Sequence, residues 1–155
     1  MDRDDFVRRL RRAYARGAAW NWVYWHAEIR QGDLAVLVAR VSARYVQAIE
    51  RGDLTPPQAA RAIATGLMPS LERSEPYVDL WEQAVQLLLI VREDAHRAKG
   101  YGRAATDLAL EGSYKAAYDA CLAAAAIEQR YAGKPMYWRP LLSLLDRAAS
   151  GRLFR

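Results

Sequence analysis

A single cysteine, Cys121, and two histidines, His26 and His96, are the whole supply of thiol and imidazole in the 155-residue sequence. One cysteine excludes an intrachain disulfide and a cysteine-rich metal site, and it fits a reducing compartment. The nearest approach to metal-ligand spacing is Glu93-Asp94-Ala95-His96. This is the Glu-x-x-His unit of di-iron helical bundles, which need two such units and further glutamates. Glu128 has Tyr131 where a second histidine is required. No metal and no other cofactor is therefore expected, and the Glu93–His96 stretch reads as a solvated helical turn. Cys121 lies among alanines and reads as a small core residue. No Gly-x-Ser-x-Gly elbow is present. Gly100-Tyr101-Gly102 lacks the strand, the further glycine and the lysine of phosphate-binding loops. With no recognisable catalytic set, the reading leans away from an enzyme.

Long hydrophobic runs are also missing. The longest, Val85 to Val91, is interrupted by Gln86 and is too short to span a bilayer. The start, Met-Asp-Arg-Asp-Asp, has neither the basic opening nor the apolar stretch of a signal peptide. No membrane partner and a cytoplasmic location are the expectations. Length and composition suit one globular domain over residues 1–155. Lysine is scarce: three Lys stand against twenty Arg, at a net charge of +5. Together with 29 alanines, that bias has the look of a GC-rich bacterial genome. Charge of this size alone says little about nucleic acid.

What is abundant is helix-forming residue: Ala, Leu and Arg dominate. No segment alternates apolar and polar residues between turn signals as a strand does. The expected fold is an all-α, single-domain, irregular bundle of about six or seven helices. The first helix is predicted over about Asp2 to Arg16, with Phe6, Leu10 and Tyr14 (or Ala13) on its apolar stripe and Gly17 as its stop. A second spans Ala18 to Gln31. A third is capped by Asp33, with Leu34, Leu37, Val38, Val41, Tyr45 and Ile49 on one side. Thr55, Pro56 and Pro57 open a short helix that Gly66 ends. A central helix runs from about Glu75 to Ala98, with Tyr77, Leu80, Trp81, Ala84, Leu88 and Val91 on one side. The Gly100-Tyr101-Gly102 stretch is read as a break. An alanine-rich pair split at Leu110–Tyr114 follows, then a last helix over about Pro140 to Ala149.

Within that pair, Gly112, Tyr114, Ala117, Cys121 and Ala124 carry the spacing of a tetratricopeptide helical hairpin, and the segment from about Tyr101 to Gln129 resembles that family. The closing proline is absent, and so is a second copy 34 residues away, whereas a solenoid stacks several. The resemblance implies a packed helical hairpin and brings no binding residues. Helical HEPN-type domains use a similar hairpin. The Arg and His of their nuclease members are not matched by Arg92 and His96, which are too close together.

Two features point to recognition. In Ala19-Trp20-Asn21-Trp22-Val23-Tyr24-Trp25-His26, three of five tryptophans fall within six residues. Tryptophan, tyrosine and arginine are the common anchors of protein interfaces. The first helix carries Arg8, Arg9, Arg11, Arg12 and Arg16. The leading expectation is a non-catalytic bacterial protein-binding module, such as an inhibitor, an immunity-type protein or an adaptor. Its interface candidates are Arg8, Arg9, Arg12, Arg16, Trp20, Trp22, Tyr24 and Trp25, with Tyr137, Trp138 and Arg139 second. One alternative is a small enzyme or small-molecule binder with an aromatic pocket whose polar groups are Tyr24, His26 and Glu28. Another is a nucleic-acid-binding regulator that tracks phosphates with the arginine helix.

Overall fold

A computed structural model describes residues 1–19, 45–67 and 78–153. The chain is all-α, and no strand occurs among the described residues. Five helices are bounded: α1 (Arg3–Ala18), α2 (Pro56–Leu67), α3 (Val78–Leu110), α4 (Tyr114–Ala132) and α5 (Arg139–Ala149). A further helical segment occupies residues 45–50. Two compact units make up the chain: residues 1–20 with 94–155, and residues 21–93. Of the helix expected over Ala18 to Gln31, Ala18 instead ends α1 and Ala19 caps it; the remainder, and the Asp33 cap, lie outside the described residues.

In the unit 21–93, the start of α2 follows its sequence closely. The Thr55 hydroxyl accepts from the Gln58 amide at 3.3 Å, and the Gln58 side chain accepts from the Thr55 amide at 2.9 Å. Two otherwise orphaned donors at the helix start are thereby satisfied reciprocally. The apolar face of α2 buries Ala60, Ile63 and Ala64 against Val46, Val78, Trp81 and Val85, with Tyr45, Ile49 and Leu89 packed around them. Tyr77 and the side chains of Leu80, Ala84 and Leu88 lie outside the described residues.

In the other unit, α4 packs on α5 and α1 packs on α5. Asp2 caps α1 by accepting from the Asp5 amide at 2.7 Å. The buried stripe of α1 is Phe6, Leu10, Ala13 and Gly17. Phe6 meets the Tyr114 ring edge-on at 5.8 Å, a geometry that aligns ring edge with ring face. The expected hairpin is present: α3 and α4 are joined at Gly112, whose φ of 85° needs a residue without a Cβ. The Ser113 amide donates to the Leu108 carbonyl at 2.9 Å across that turn. Ala105, Ala109, Ala117, Cys121 and Ala124 are all fully buried.

Two expected helix boundaries are corrected. α1 continues through Gly17, and α3 continues through Gly100-Tyr101-Gly102 to Leu110. Gly17 and Gly102 are explained by Trp138, which is 1% exposed. A Cβ on Gly17 would lie 2.1 Å from its Cε3, and one on Gly102 would lie 2.2 Å from its Cζ3. These glycines are space for an indole, not helix stops. Helix propensity loses to packing here, since a helical glycine costs about 1 kcal/mol relative to alanine and burying a tryptophan removes about 150–250 Å² from contact with water.

Candidate functional site

The arginines of α1 divide between two faces. Arg8 and Arg9 reach Asp5 at 3.3 and 3.4 Å in exposed pairs, which contribute little to stability. Arg9, Arg12 and Arg16 line a groove between α1 and α5 together with Ala13, Pro140, Ser143, Leu144 and Arg147. Its volume is about 420 Å³. The spacing explains the convergence. Residues 9, 12, 13 and 16 share one face of α1, and residues 140, 143, 144 and 147 share one face of α5. Ala13 and Leu144 are buried and supply the apolar floor. Among the described residues, no carboxylate lines the groove. Among the described residues, neither Arg12 nor Arg147 has an ion-pair partner. The Arg16 guanidinium lies 4.8 Å from the centre of the Tyr137 ring, within cation–π range.

This arrangement selects among the residues singled out from sequence. Arg9, Arg12 and Arg16 come together, and Tyr137 joins them through Arg16. Arg8 does not line the groove, and Arg139 is exposed at the start of α5 without lining it. Trp138 is corrected from surface candidate to core residue: among the described residues it is the largest of the fully buried side chains. Trp20, Trp22, Tyr24, Trp25, His26 and Glu28 lie outside the described residues. Arg147 was missed. Its signal is the i, i+3, i+4, i+7 repeat of Pro140, Ser143, Leu144 and Arg147, which matters only once α5 is known to face α1.

The loop that carries Tyr137 is held by Glu128. This carboxylate is fully buried on α4. It accepts from the amides of Met136, Tyr137 and Trp138 at 3.0, 2.8 and 3.1 Å. A buried charge is tolerated when several donors meet it. Three amides aimed at one carboxylate fix the entry to α5, and with it Tyr137 beside Arg16.

A second polar cluster links α3 with α4. Asp94 is 8% exposed and accepts a short hydrogen bond from the Tyr131 hydroxyl. Arg97 and Arg130 approach it at 3.3 and 3.7 Å. Burial, then the Asp94 hydrogen bond, pushes the Tyr131 hydroxyl well above its ordinary range. The Glu93–His96 stretch is therefore not a terminal solvated turn. It lies within α3, and its Asp94 turns inward while Glu93 and His96 stay exposed. Among the described residues, no group of three or more His, Cys, Asp or Glu is placed to hold a metal ion.

Burial pushes the Cys121 thiol up to about 12, so it stays protonated and unreactive at neutral pH. No described helix is long and apolar enough to cross a membrane. Comparison of the chain with protein-family models, with curated proteins and with solved structures finds no match.

Proposed function

We propose that this chain is a non-catalytic protein-binding module, of the inhibitor, immunity-protein or adaptor kind, and that it holds an acidic partner surface in the groove between α1 and α5. One observation carries the reading: Arg9, Arg12, Arg16 and Arg147 line one groove over an apolar floor, and among the described residues no carboxylate joins the lining. Guanidinium forks suit the carboxylates of a protein partner. The floor of Ala13, Pro140 and Leu144 suits apolar side chains between those carboxylates. Nucleic acid would use the cations and leave the floor unused, so protein is the better fit.

The test is affinity capture from the source cell with the tagged chain and an Arg12→Glu/Arg147→Glu variant, with both folds checked by circular dichroism. The expected result is a near-stoichiometric acidic protein that the wild type retains and the variant loses. Two results would overturn the reading: recovery of nucleic acid alone, or equal retention of the same proteins by both forms. Retention on heparin that collapses at moderate salt, combined with no protein partner, would move the assignment to nucleic acid.

A further inference from the structure

We propose that the recess lined by Tyr14, His96, Lys99, Gly100 and Arg103 binds a phosphate monoester. This site is separate from the α1/α5 groove and shares no lining residue with it. His96, Lys99 and Arg103 rise from successive turns of α3 at i, i+3 and i+7, so they stand in one row. Lys99 and Arg103 are an i, i+4 pair of like charges, an arrangement that slightly destabilises a helix. Among the described residues, no carboxylate lines the recess. Among the described residues, neither Lys99 nor Arg103 has an ion-pair partner, and Asp107, one turn beyond Arg103, forms no pair with it. An anion seated between them turns mutual repulsion into shared attraction.

Gly100 supplies the second, independent observation. It stands inside α3, where glycine is a poorer helix former than alanine. Two residues on, Gly102 is explained by the indole of Trp138. Gly100 has no such reason: a Cβ there would meet nothing within 4 Å, and its backbone is not in the left-handed region. Its bare backbone belongs to the lining of the recess, one turn after His96 and one turn before Arg103, where a ligand can approach the helix closely. Tyr14 closes the recess from α1 and carries a hydroxyl, a group that donates to oxyanions.

The donor set defines the ligand class. Arginine grips phosphate oxygens with a two-pronged fork, lysine adds a point charge, and histidine adds a ring N–H. The volume, about 280 Å³, exceeds a bare phosphate and approaches the lower end of small-molecule sites. A phosphate carried on an organic group fits, whether the group is a small metabolite or a phosphorylated side chain.

The test follows the His96 ring protons by NMR while the full chain is titrated, at constant near-physiological salt, with inorganic phosphate, glycerol phosphate and a short phosphoserine peptide. Saturable shifts are expected, with the esters binding more tightly than inorganic phosphate. Tighter binding of glycerol phosphate assigns the site to small metabolites; tighter binding of the peptide assigns it to a modified protein. Lys99→Gln/Arg103→Gln is expected to weaken binding about tenfold or more, as loss of charged hydrogen bonds does. Gly100→Ala is expected to raise the melting temperature and yet weaken binding, while Arg12→Glu leaves binding unchanged. Non-saturating shifts, an unaltered affinity in the double variant with its helicity intact, or a stabilised Gly100→Ala that binds as wild type would each overturn the proposal.

Discussion

Gly102 lies beneath the indole of Trp138 so closely that a Cβ added to it would stand 2.2 Å from Cζ3. Gly17 meets the same ring with a Cβ-to-Cε3 distance of 2.1 Å. One side chain from the segment before α5 thus binds the courses of α1 and α3. Gly102→Ala is expected to destabilise the protein by about 1–3 kcal/mol through overpacking, despite alanine's higher helix propensity. The melting temperature should fall by several degrees for a chain of this size. Gly100→Ala, on the same helix with open space at its Cβ, should move it the other way. Calorimetry of the pair checks the argument, and equal shifts in the two variants would refute it.

Glu128 offers a sharper local test. Its two oxygens receive three backbone amides. Glutamine keeps the shape but replaces one acceptor oxygen with a donor that faces those amides. Glu128→Gln is therefore expected to cost about 2–4 kcal/mol, combining lost charged hydrogen bonds with an unmatched buried donor. Hydrogen exchange should speed up at the amides of Met136, Tyr137 and Trp138 before it does along α4. Uniform acceleration across the unit would mean that Glu128 supports the core in general rather than this loop.

These positions show how far the sequence could be read. Helix type was legible, because alanine, leucine and arginine leave little competing signal. So were the start of the first helix near Asp2, the opening of the short helix at Thr55 and the split at Leu110–Tyr114, since each depends on neighbours within a few residues. Gly17 and Gly102 were misleading for the opposite reason. Their role is set by Trp138, which is 121 and 36 positions away by their residue numbers, and a local rule sees only a weak helix former. Half of the groove was visible in the arginines of α1. Choosing Arg9 over Arg8, and adding Arg147, required knowing which face of α1 meets α5. Glu128 had no signal beyond its charge in an alanine-rich helix.

Alkaline pH probes the buried thiol. Cys121 has an ordinary value of 9.0 and is pushed up to about 12 in the fold. Above pH 9 the unfolded chain releases this proton while the native chain keeps it. The native state then binds more protons, so stability falls as pH rises. The contribution is fully present below about pH 9 and is lost through pH 12, at a slope of about 1.4 kcal/mol per pH unit for one proton. Tyr131, raised in the same direction, steepens the fall at the upper end. Cys121→Ala should flatten the dependence of denaturation midpoint on pH from about 9 upward. A thiol reagent at neutral pH should label Cys121 only after denaturation; rapid labelling of the native chain would contradict its burial.

The groove makes a prediction about stability as well as binding. Arg9, Arg12 and Arg16 on α1 and Arg147 on α5 line one groove with a low-polarity floor, and among the described residues only Arg9 has a carboxylate ion-pair partner. Without a partner, their repulsion is screened by salt over about 10 Å at 0.1 M ionic strength. Raising sodium chloride should therefore raise the melting temperature of the free wild-type chain. Arg12→Gln/Arg147→Gln removes two of the four charges while keeping length and hydrogen-bonding capacity. That variant should match or slightly exceed the wild type at low salt, within about 0.5 kcal/mol, and show a weaker salt response. Such a result fits a surface kept for recognition at the expense of stability. If the variant instead melts well below the wild type and keeps the full salt response, the arginines are holding α1 to α5, and the groove is a structural seam.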